Sequence, residues 1–404
     1  MGPAEDQDLP LKGLRVLEFS HTVMGPTAGL VLADLGCDVV KVEPAPDGDH
    51  TRRLPGFAIG FFGYLNRNKR SLAVDLKRSE GRALVERLAG GVDILVENYG
   101  PGTMERLGCG FERLSAQNPR LVYVALKGFL SGPYEQRPAL DEVVQFMAGL
   151  AHMTGPPGQP LRAGASVIDI LGGVFGVVGA LAALQERERT GQGQLVRSAL
   201  FETTAFLVGQ HMAGHAVTGE EPPPMPARRG AWAVYQTFDT ADGEQLFLGI
   251  TSNNHFRAFC DAFERPDLSG DPRLATNSLR VEARPWLIPK IQAILAQRTK
   301  ADLVHIFERA HIPFAPVAKP ADLFDDPHLL ASGGLLDVLM PGGIRTRLPR
   351  LPVELRGRRP GLRREAPRLG EHTREVLSEA GLGEREITAL AERGVVVAES
   401  EHAG

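Results

Sequence analysis

The first part of the chain alternates short apolar segments with amphipathic ones, which predicts strands and helices in turn. Residues 15–19 and 38–43 have the apolar, β-branched character of strands. Between them, Pro26 is typical of a first helical turn and Gly36 of a helix end. The pattern continues with predicted strands over 72–76, 94–97 and 121–125 and predicted helices over 78–89 and near Thr103. Such alternation predicts an α/β fold with a Rossmann-like, doubly wound sheet.

The pattern changes in the second half of the chain. Residues 168–184 form an apolar segment with glycines, which we interpret as a core helix because it is shorter than the ~20 residues of a membrane span. No membrane partner is therefore expected. Residues 220–226 are acidic and proline-rich, as in a stiff exposed linker. Residues 233–250 contain two strand-like segments joined by a turn, which predicts a hairpin.

These changes predict two domains. The predicted division is the first part of a large α/β domain over 1–200, a linker over 201–226, a small α+β domain over 227–318, and over 319–404 a linker with a C-terminal return to the large domain. A chain of 404 residues is long enough for two or three domains at roughly 100–200 residues each.

Composition and charge exclude several classes of protein. With 43% hydrophobic and 23% charged positions, the chain is neither disordered nor a disulfide framework. The 45 Lys and Arg against 49 Asp and Glu give a net charge of −4, so no nucleic-acid partner is expected. The N-terminus is polar and acidic, and we expect no signal peptide. The widely spaced Cys37, Cys109 and Cys260 favour a reducing, cytoplasmic location.

Motifs of several common enzyme classes are missing from the sequence. The first strand–helix turn lacks GxGxxG, which disfavours a dinucleotide cofactor. His211 and His215 have the i, i+4 spacing of a zinc helix, but Met212 occupies the position of the glutamate and no third ligand is evident. No metal site is therefore predicted.

Asp169 is the most informative titratable residue, and the residues alone leave two interpretations open. The first is an N-cap at the start of the apolar helix, with no chemistry. The second is a carboxylate held ionised by the helix dipole and free to attack an acyl carbonyl. Composition alone favours the N-cap.

Short motifs occur in order over nearly the whole chain. They include GLRVLEFSH at 13–21, ADLGCDVVKVEP at 33–44, VENYGPG at 96–102, TGQGQ at 190–194 and LGEHT at 369–373. Together these blocks resemble the class III CoA-transferases, the family of formyl-CoA transferase, carnitine CoA-transferase and the α-methylacyl-CoA racemases.

The resemblance implies a function and a site. It implies that CoA passes from an acyl-CoA donor to a carboxylic acid acceptor, with Asp169 as the nucleophile that forms an aspartyl anhydride and then an aspartyl-CoA thioester. It further implies a ring-like subunit in an interlocked homodimer, with no tightly bound cofactor and a coenzyme A thioester as substrate. The CoA-binding residues that it implies are His21, Val23, Met24, Val74, Lys77, Asn98, Tyr99, Gly100, Arg106 and Asp141.

The chain departs from this family pattern at the end of the second strand. Many relatives have an arginine where this chain has Pro44, so Arg52 or Arg53 is a candidate to replace its nucleotide contact. Basic residues at Arg162, Arg228 and Arg229 are compatible with an acyl group that carries a further carboxylate.

Two alternatives share the implied fold. An acyl-CoA racemase needs a second acid or base. Racemases of this family usually carry a histidine immediately before the aspartate aligned with Asp141. This chain has Leu140 at that position, and a leucine side chain cannot move a proton. A non-catalytic acyl-CoA-binding module would not need a carboxylate at position 169. The sequence therefore favours a transferase.

Overall fold

The strands near the N-terminus are buried along most of their length, as expected of parallel strands covered on both faces. The computed structural model describes residues 9–227 and 230–398. The chain forms two units. The first unit contains the residues up to Pro226 together with those from His328 onward, and the second unit is Ala227–Pro327.

Strands and helices alternate through the first half of the chain. The strands are β1 (Arg15–Phe19), β2 (Asp38–Pro44), β3 (Lys69–Val74), β4 (Ile94–Glu97), β5 (Val122–Lys127), β6 (Leu195–Ala199), β7 (Val234–Asp239), β8 (Gln245–Ile250), β9 (Phe314–Pro316), β10 (Leu335–Met340), β11 (Ile344–Pro349) and β12 (Val396–Val397). The α-helices are α1 (Met24–Asp34), α2 (Phe61–Leu65), α3 (Ser79–Ala89), α4 (Thr103–Arg106), α5 (Phe111–Gln117), α6 (Asp141–Met147), α7 (Leu150–Thr154), α8 (Val167–Thr190), α9 (Leu200–Thr218), α10 (Asn253–Ala262), α11 (Pro266–Ser269), α12 (Asn277–Glu282), α13 (Arg284–Leu295), α14 (Lys300–Ala310), α15 (Pro327–Ala331), α16 (Thr373–Glu379) and α17 (Glu384–Glu392).

The first unit is built on a sheet with the strand order β12-β3-β2-β1-β4-β5-β6. All these pairs are parallel except β12 with β3, which is antiparallel. Leu17 of β1 lies opposite Val40 of β2 and Leu95 of β4. The predicted α/β class with a mostly parallel sheet is confirmed. The order reverses between β1 and β4, and doubly wound proteins bind ligands outside the carboxyl ends of the strands at this point.

Helices cover both faces of this sheet. On one face, α3, α16 and α17 contribute the fully buried Val85, Val376 and Ile387 to an apolar cluster with the strands. On the other face, α1 and α8 contribute Leu32 and Ala180 to a second cluster. Each fully buried side chain of valine or leucine size contributes about 1.5–3 kcal/mol relative to an exposed one, so the sheet is held from both sides.

Helix α8 is longer than predicted. It runs for 24 residues, and among the described residues it is long and apolar enough to cross a membrane by length and composition alone. The prediction that this segment is shorter than a membrane span was therefore wrong, and the packing of α8 shows its role. A Cβ on Gly173 would lie 2.5 Å from the Met24 carbonyl oxygen, and one on Gly176 would lie 2.5 Å from Leu126. These close approaches place α8 directly against α1 and β5 as a core helix.

The second unit is an antiparallel sheet of order β7-β8-β9 with helices packed on it. Phe238 and Leu248 from the strands share an apolar cluster with Phe259 of α10, Ile291 of α13 and Phe307 of α14. The predicted hairpin is present as β7 and β8, joined through Gly243, which has a φ of +74°.

Two sequence predictions need correction. The predicted linker over 201–226 is wrong for most of its length, because helix α9 continues to Thr218. The third strand begins at Lys69, three residues before its predicted start, and ends at Val74. In both cases charged, polar or glycine residues within the element obscured the apolar pattern.

Candidate active site

The loop between β1 and α1 is held by a side chain that follows β4. The His21 N–H donates to Oδ1 of Asn98 at 3.0 Å, and Nδ2 of Asn98 donates to the His21 carbonyl oxygen, also at 3.0 Å. Gly25 permits this close approach, because a Cβ there would lie 2.5 Å from Cβ of Ser20 and 2.8 Å from Cγ of Asn98. Two residues implied by the resemblance, His21 and Asn98, are thereby brought together at the crevice between β1 and β4.

The His21 ring forms part of an aromatic surface at this crevice. It stacks on Tyr99 with ring centroids 5.6 Å apart and lies 5.1 Å from the ring of His50. Burial lowers the pKa of His21, and the neighbouring His50 lowers it further. Both effects favour the neutral ring, which suits stacking and hydrogen bonding rather than neutralising a phosphate.

Buried charged side chains hydrogen-bond to the same loop and to the first turn of α1. Nζ of Lys41 donates to the Ser20 carbonyl oxygen at 2.8 Å, and Nζ of Lys69 donates to the Pro26 carbonyl oxygen at 3.0 Å. Glu18 pairs with both ammonium groups, at 3.5 and 2.8 Å, and all three side chains are fully buried. Burial lowers the pKa of Lys69 to about 8. The sequence analysis missed this cluster, although charged residues within apolar strands are a signal for it.

Asp169 lies in the first turn of α8, but it is not the N-cap. The N-cap is Ser166, which makes no side-chain capping hydrogen bond. Oδ2 of Asp141 instead accepts the N–H of Ile168 at 2.8 Å and that of Asp169 at 3.0 Å. The helix start is capped from α6, so the Asp169 carboxylate is free of the capping role that the sequence alone favoured.

The protonation of Asp169 also differs from the expectation. Burial raises the pKa of Asp169 to about 7, and the negative charge of Asp141 adds to this shift while Arg162 opposes it. The expectation of a carboxylate held firmly ionised by the helix dipole is therefore wrong. A partly exposed carboxyl with a pKa near neutrality can alternate between charged and neutral forms during a reaction.

The tight contact of α8 with α1 brings Asp169 towards the crevice. A Cβ on Gly172 would lie 2.6 Å from Cε of Met24, the residue that begins α1 directly after the β1–α1 loop. Asp169 precedes Gly172 by one helical turn. The first turn of α8, which contains Asp169, therefore adjoins the end of α1 that follows the loop carrying His21.

Comparison with known proteins shows the family of the chain. Residues 11–373 match the model of CoA-transferase family III. The chain belongs to this family. It is 35% identical to the succinyl-CoA:mesaconate CoA-transferase of Haloarcula hispanica, over 92% of this chain and 97% of that protein. It is 32% identical to the succinyl-CoA:glutarate CoA-transferase of Mus musculus, over 93% and 87% of the two chains. A CaiB/BaiF family protein from Brucella suis has a similar structure, with a TM-score of 0.83, 32% identity and coverage of 93% and 100%. The chain is therefore a family III CoA-transferase, and its substrates include an acyl-CoA and an acid.

Three predicted CoA-binding residues of this CoA-transferase are exposed beyond the carboxyl ends of strands. Lys77 follows β3, Gly100 follows β4, and Arg106 lies in α4. Nη2 of Arg106 donates to Oγ1 of Thr103 at 2.8 Å, which leaves its remaining N–H groups for an anion. Tyr99 is half-buried against His21.

His21 and Asn98 are partly exposed, and four further predicted CoA-binding residues are buried. The exposed fraction is 4% for Val23, Met24 and Asp141 and 0% for Val74. The Val74 side chain lies in the apolar core of the sheet and has no exposed surface. Both carboxylate oxygens of Asp141 accept hydrogen bonds, one from Gln145 and the other from the start of α8.

Arg52 and Arg53, the candidates to replace the arginine missing at Pro44, make different contacts. Arg52 is committed to Glu43, with two hydrogen bonds of 2.7 Å, and its guanidinium lies over the Phe62 ring. Arg53 is exposed and donates to the Asp47 carbonyl oxygen. The geometry favours Arg53 as the residue available to a phosphate.

Of the three basic residues considered for the acyl group, Arg162 lies within the described residues. Arg162 forms an ion pair with Glu142 of α6, next to Asp141. Arg228 and Arg229 lie outside the described residues. Over residues 9–227 and 230–398, no group of three or more His, Cys, Asp or Glu residues could hold a metal ion.

Proposed function

We propose that Asp169 is the covalent nucleophile of CoA transfer. An Asp169 oxygen attacks the thioester carbonyl of the donor acyl-CoA, the C–S bond breaks, and a mixed anhydride and CoA thiolate form. The thiolate attacks the aspartyl carbonyl, the anhydride C–O bond breaks, and the donor carboxylate leaves an aspartyl-CoA thioester. Covalent catalysis of this kind divides an exchange between a carboxylate and a thioester into activated steps.

The second half of the reaction repeats these steps with the acceptor. The acceptor carboxylate attacks the aspartyl thioester and releases CoA thiolate, which then attacks the acceptor carbonyl of the new anhydride. The acceptor becomes the acyl-CoA, and Asp169 returns to a carboxylate with no net uptake of protons. The observation that carries the proposal is the position of Asp169: uncommitted to capping, partly exposed, and at the start of a helix packed against the first turn of α1.

We further propose that CoA binds along the carboxyl edge of the sheet. Lys77 and Arg106 are suited to its phosphates, because both are exposed cations. His21 and Tyr99 offer ring faces, and the Asn98 side chain holds the loop that carries His21.

A dicarboxylic acid is the proposed acceptor class, with succinyl-CoA as a donor. The relatives from Haloarcula hispanica and Mus musculus are named for succinyl-CoA with mesaconate or glutarate. Arg162 adds a cation whose charge acts on Asp169. A racemase has less support, because Leu140, the residue before Asp141, has no group that can exchange a proton. Its side chain is 65% exposed.

We propose a homodimer with interlocked subunits, and the exposed apolar side chains of α8 and α9 support the association of subunits. Phe175 of α8 and Phe206 of α9 are 37% and 74% exposed, and their rings meet edge-on at 5.4 Å. Val178 of α8 and Met212 of α9 are also exposed, at 55% and 60%. Contiguous exposed apolar surface of this kind is typical of subunit interfaces. We also keep the cytoplasmic location as a proposal, supported by three free, buried cysteines.

Trapping the covalent intermediate tests the nucleophile. The protein is incubated with succinyl-CoA and hydroxylamine, digested, and examined by mass spectrometry for a hydroxamate on the peptide that contains Asp169. The transferase predicts modification that depends on acyl-CoA. Absence of the hydroxamate in a preparation with active CoA transfer would contradict the covalent role.

A further inference from the structure

Gln145 on α6 is a buried amide with both ends engaged. It is 0% exposed, and its Oε1 accepts the N–H of Ala163 at 2.9 Å. Its Nε2 donates to Oδ1 of Asp141. Burial of an amide is unfavourable unless its polar atoms are hydrogen-bonded, so these two contacts fix the orientation of the side chain.

The hydrogen bonds continue from Gln145 to the nucleophile. The other oxygen of Asp141 accepts the N–H groups of Ile168 and Asp169. Gln145 therefore contacts the segment before α8 twice, directly at Ala163 and through Asp141 at the first turn of the helix.

The segment that Gln145 holds has little apolar anchoring of its own. Gly164 and Ala165 are exposed, and the N–H of Leu161 donates to the Ala151 carbonyl oxygen at 2.9 Å at the start of the segment. Asp141 holds its other end, and Gln145 ties the middle to α6. A substitution at Gln145 would therefore loosen the segment that leads to Asp169.

We propose that Gln145 is a positioning residue for Asp169, which acts by fixing Asp141 and Ala163 at the same time. It sets the direction from which the Asp169 carboxylate meets the thioester and does not itself bind acyl-CoA. This inference rests on the proposed function of Asp169. The alignment of a nucleophile with its target contributes strongly to rate, and a displacement of about 1 Å can cost ~100-fold.

The test is Gln145→Leu, which keeps a similar volume and removes both hydrogen bonds. We expect kcat for CoA transfer to fall about 10- to 100-fold, while KM for succinyl-CoA changes less than about 2-fold, because Gln145 acts on alignment and not on binding. Gln145→Glu keeps an oxygen for Ala163 but faces Asp141 with a second carboxyl group. It is expected to lose kcat as well.

Val144→Ala is the matched control. Val144 is the adjacent residue of α6, it is 0% exposed, and it lies in the apolar cluster outside the hydrogen-bond chain. This variant should lower Tm through the cavity it creates and leave kcat within about 2-fold of the wild type. If Val144→Ala loses kcat in the same proportion as Gln145→Leu at a comparable Tm, the role of Gln145 is only structural and the inference is overturned.

Hydroxylamine trapping separates this inference from the proposed function. No hydroxamate on Asp169 in the active wild-type protein would contradict the proposed function itself. A hydroxamate in the wild type that forms at an unchanged rate in Gln145→Leu and Gln145→Glu would overturn the positioning role alone. Slower trapping in both Gln145 variants, but not in Val144→Ala, supports it.

Discussion

Asp141 on α6 accepts the main-chain N–H of Asp169 at 3.0 Å through the same carboxylate oxygen that caps Ile168. One acidic residue thus holds the backbone of another, 28 positions further along the chain. The contact frees the Asp169 side chain and also places a second negative charge beside it. The pairing therefore links the position of the proposed nucleophile to its protonation.

Asp169→Asn should abolish CoA transfer while the protein stays folded. The amide preserves the shape of the side chain but is a poor nucleophile. Transfer should fall to background, whereas acyl-CoA binding, measured by calorimetry, should persist. Asp169→Ala should behave in the same way. Retained transfer in the Asn variant would rule out the proposed mechanism.

Above neutral pH, Asp169→Asn should be at least as stable as the wild type. The pKa of Asp169 is raised to about 7 in the folded chain, above its value of roughly 3.9 when unfolded. Its contribution to stability is greatest below the unfolded pKa and is lost as pH rises through about 7. At pH 8 the uncharged Asn variant should therefore melt at or above the temperature of the wild type. A lower Tm at that pH would argue for a structural role of Asp169.

The rate of transfer should rise with pH through about 7. Only the ionised Asp169 attacks, and burial raises its pKa to about 7, with a further contribution from Asp141 and an opposing one from Arg162. Asp141→Asn keeps an oxygen for the α8 amides and removes the charge, so the acid limb of kcat should move to lower pH. Steady-state rates across the range from about pH 5 to 9 measure this. An acid limb that stays in place in Asp141→Asn would contradict the electrostatic coupling.

Arg106→Ala should raise KM for acyl-CoA with a smaller effect on kcat. A phosphate contact is made equally in the ground state and the transition state, so its loss weakens binding uniformly. A charge-assisted hydrogen bond contributes about 1.5–3 kcal/mol, which corresponds to about 10- to 100-fold in KM. Arg113→Ala is the control, because Arg113 is exposed and paired with Glu86 of α3. An unchanged KM in the Arg106 variant would place the nucleotide elsewhere.

Dilution of the protein should not release a folded monomer. If the subunits are interlocked, separation requires a chain to unthread and hence to unfold. Sedimentation at nanomolar concentration should therefore show dimer. Phe206→Glu places a charge on the exposed surface of α9 and should reduce assembly, whereas Ile344→Glu, at a residue 65% exposed on β11, should not. A folded monomer of the wild type at nanomolar concentration would refute interlocking.

The sequence alone determined the parts of the molecule that depend on local pattern. The period and composition of residues 15–19 and 94–97 predicted β1 and β4 at their observed bounds, and residues 233–250 predicted the hairpin. These elements were readable because apolar side chains recur at the spacing of the element that buries them. The ordered family motifs then singled out Asp169, which composition alone would have assigned to an N-cap.

Only the tertiary structure decided what surrounds those elements. Strand β12 pairs with β3 more than 300 residues earlier in the chain, as Val396 lies opposite Val74. Lys41 and Lys69 lie in strands, yet each is paired with Glu18 beneath the β1–α1 loop. Local periodicity carries no information about a partner so distant in sequence, and burial of a charge depends on which opposite charge the fold supplies. For the same reason, the cap of α8 and the near-neutral pKa of Asp169 follow from Asp141 and burial, which appear only when α6 is packed against the start of α8.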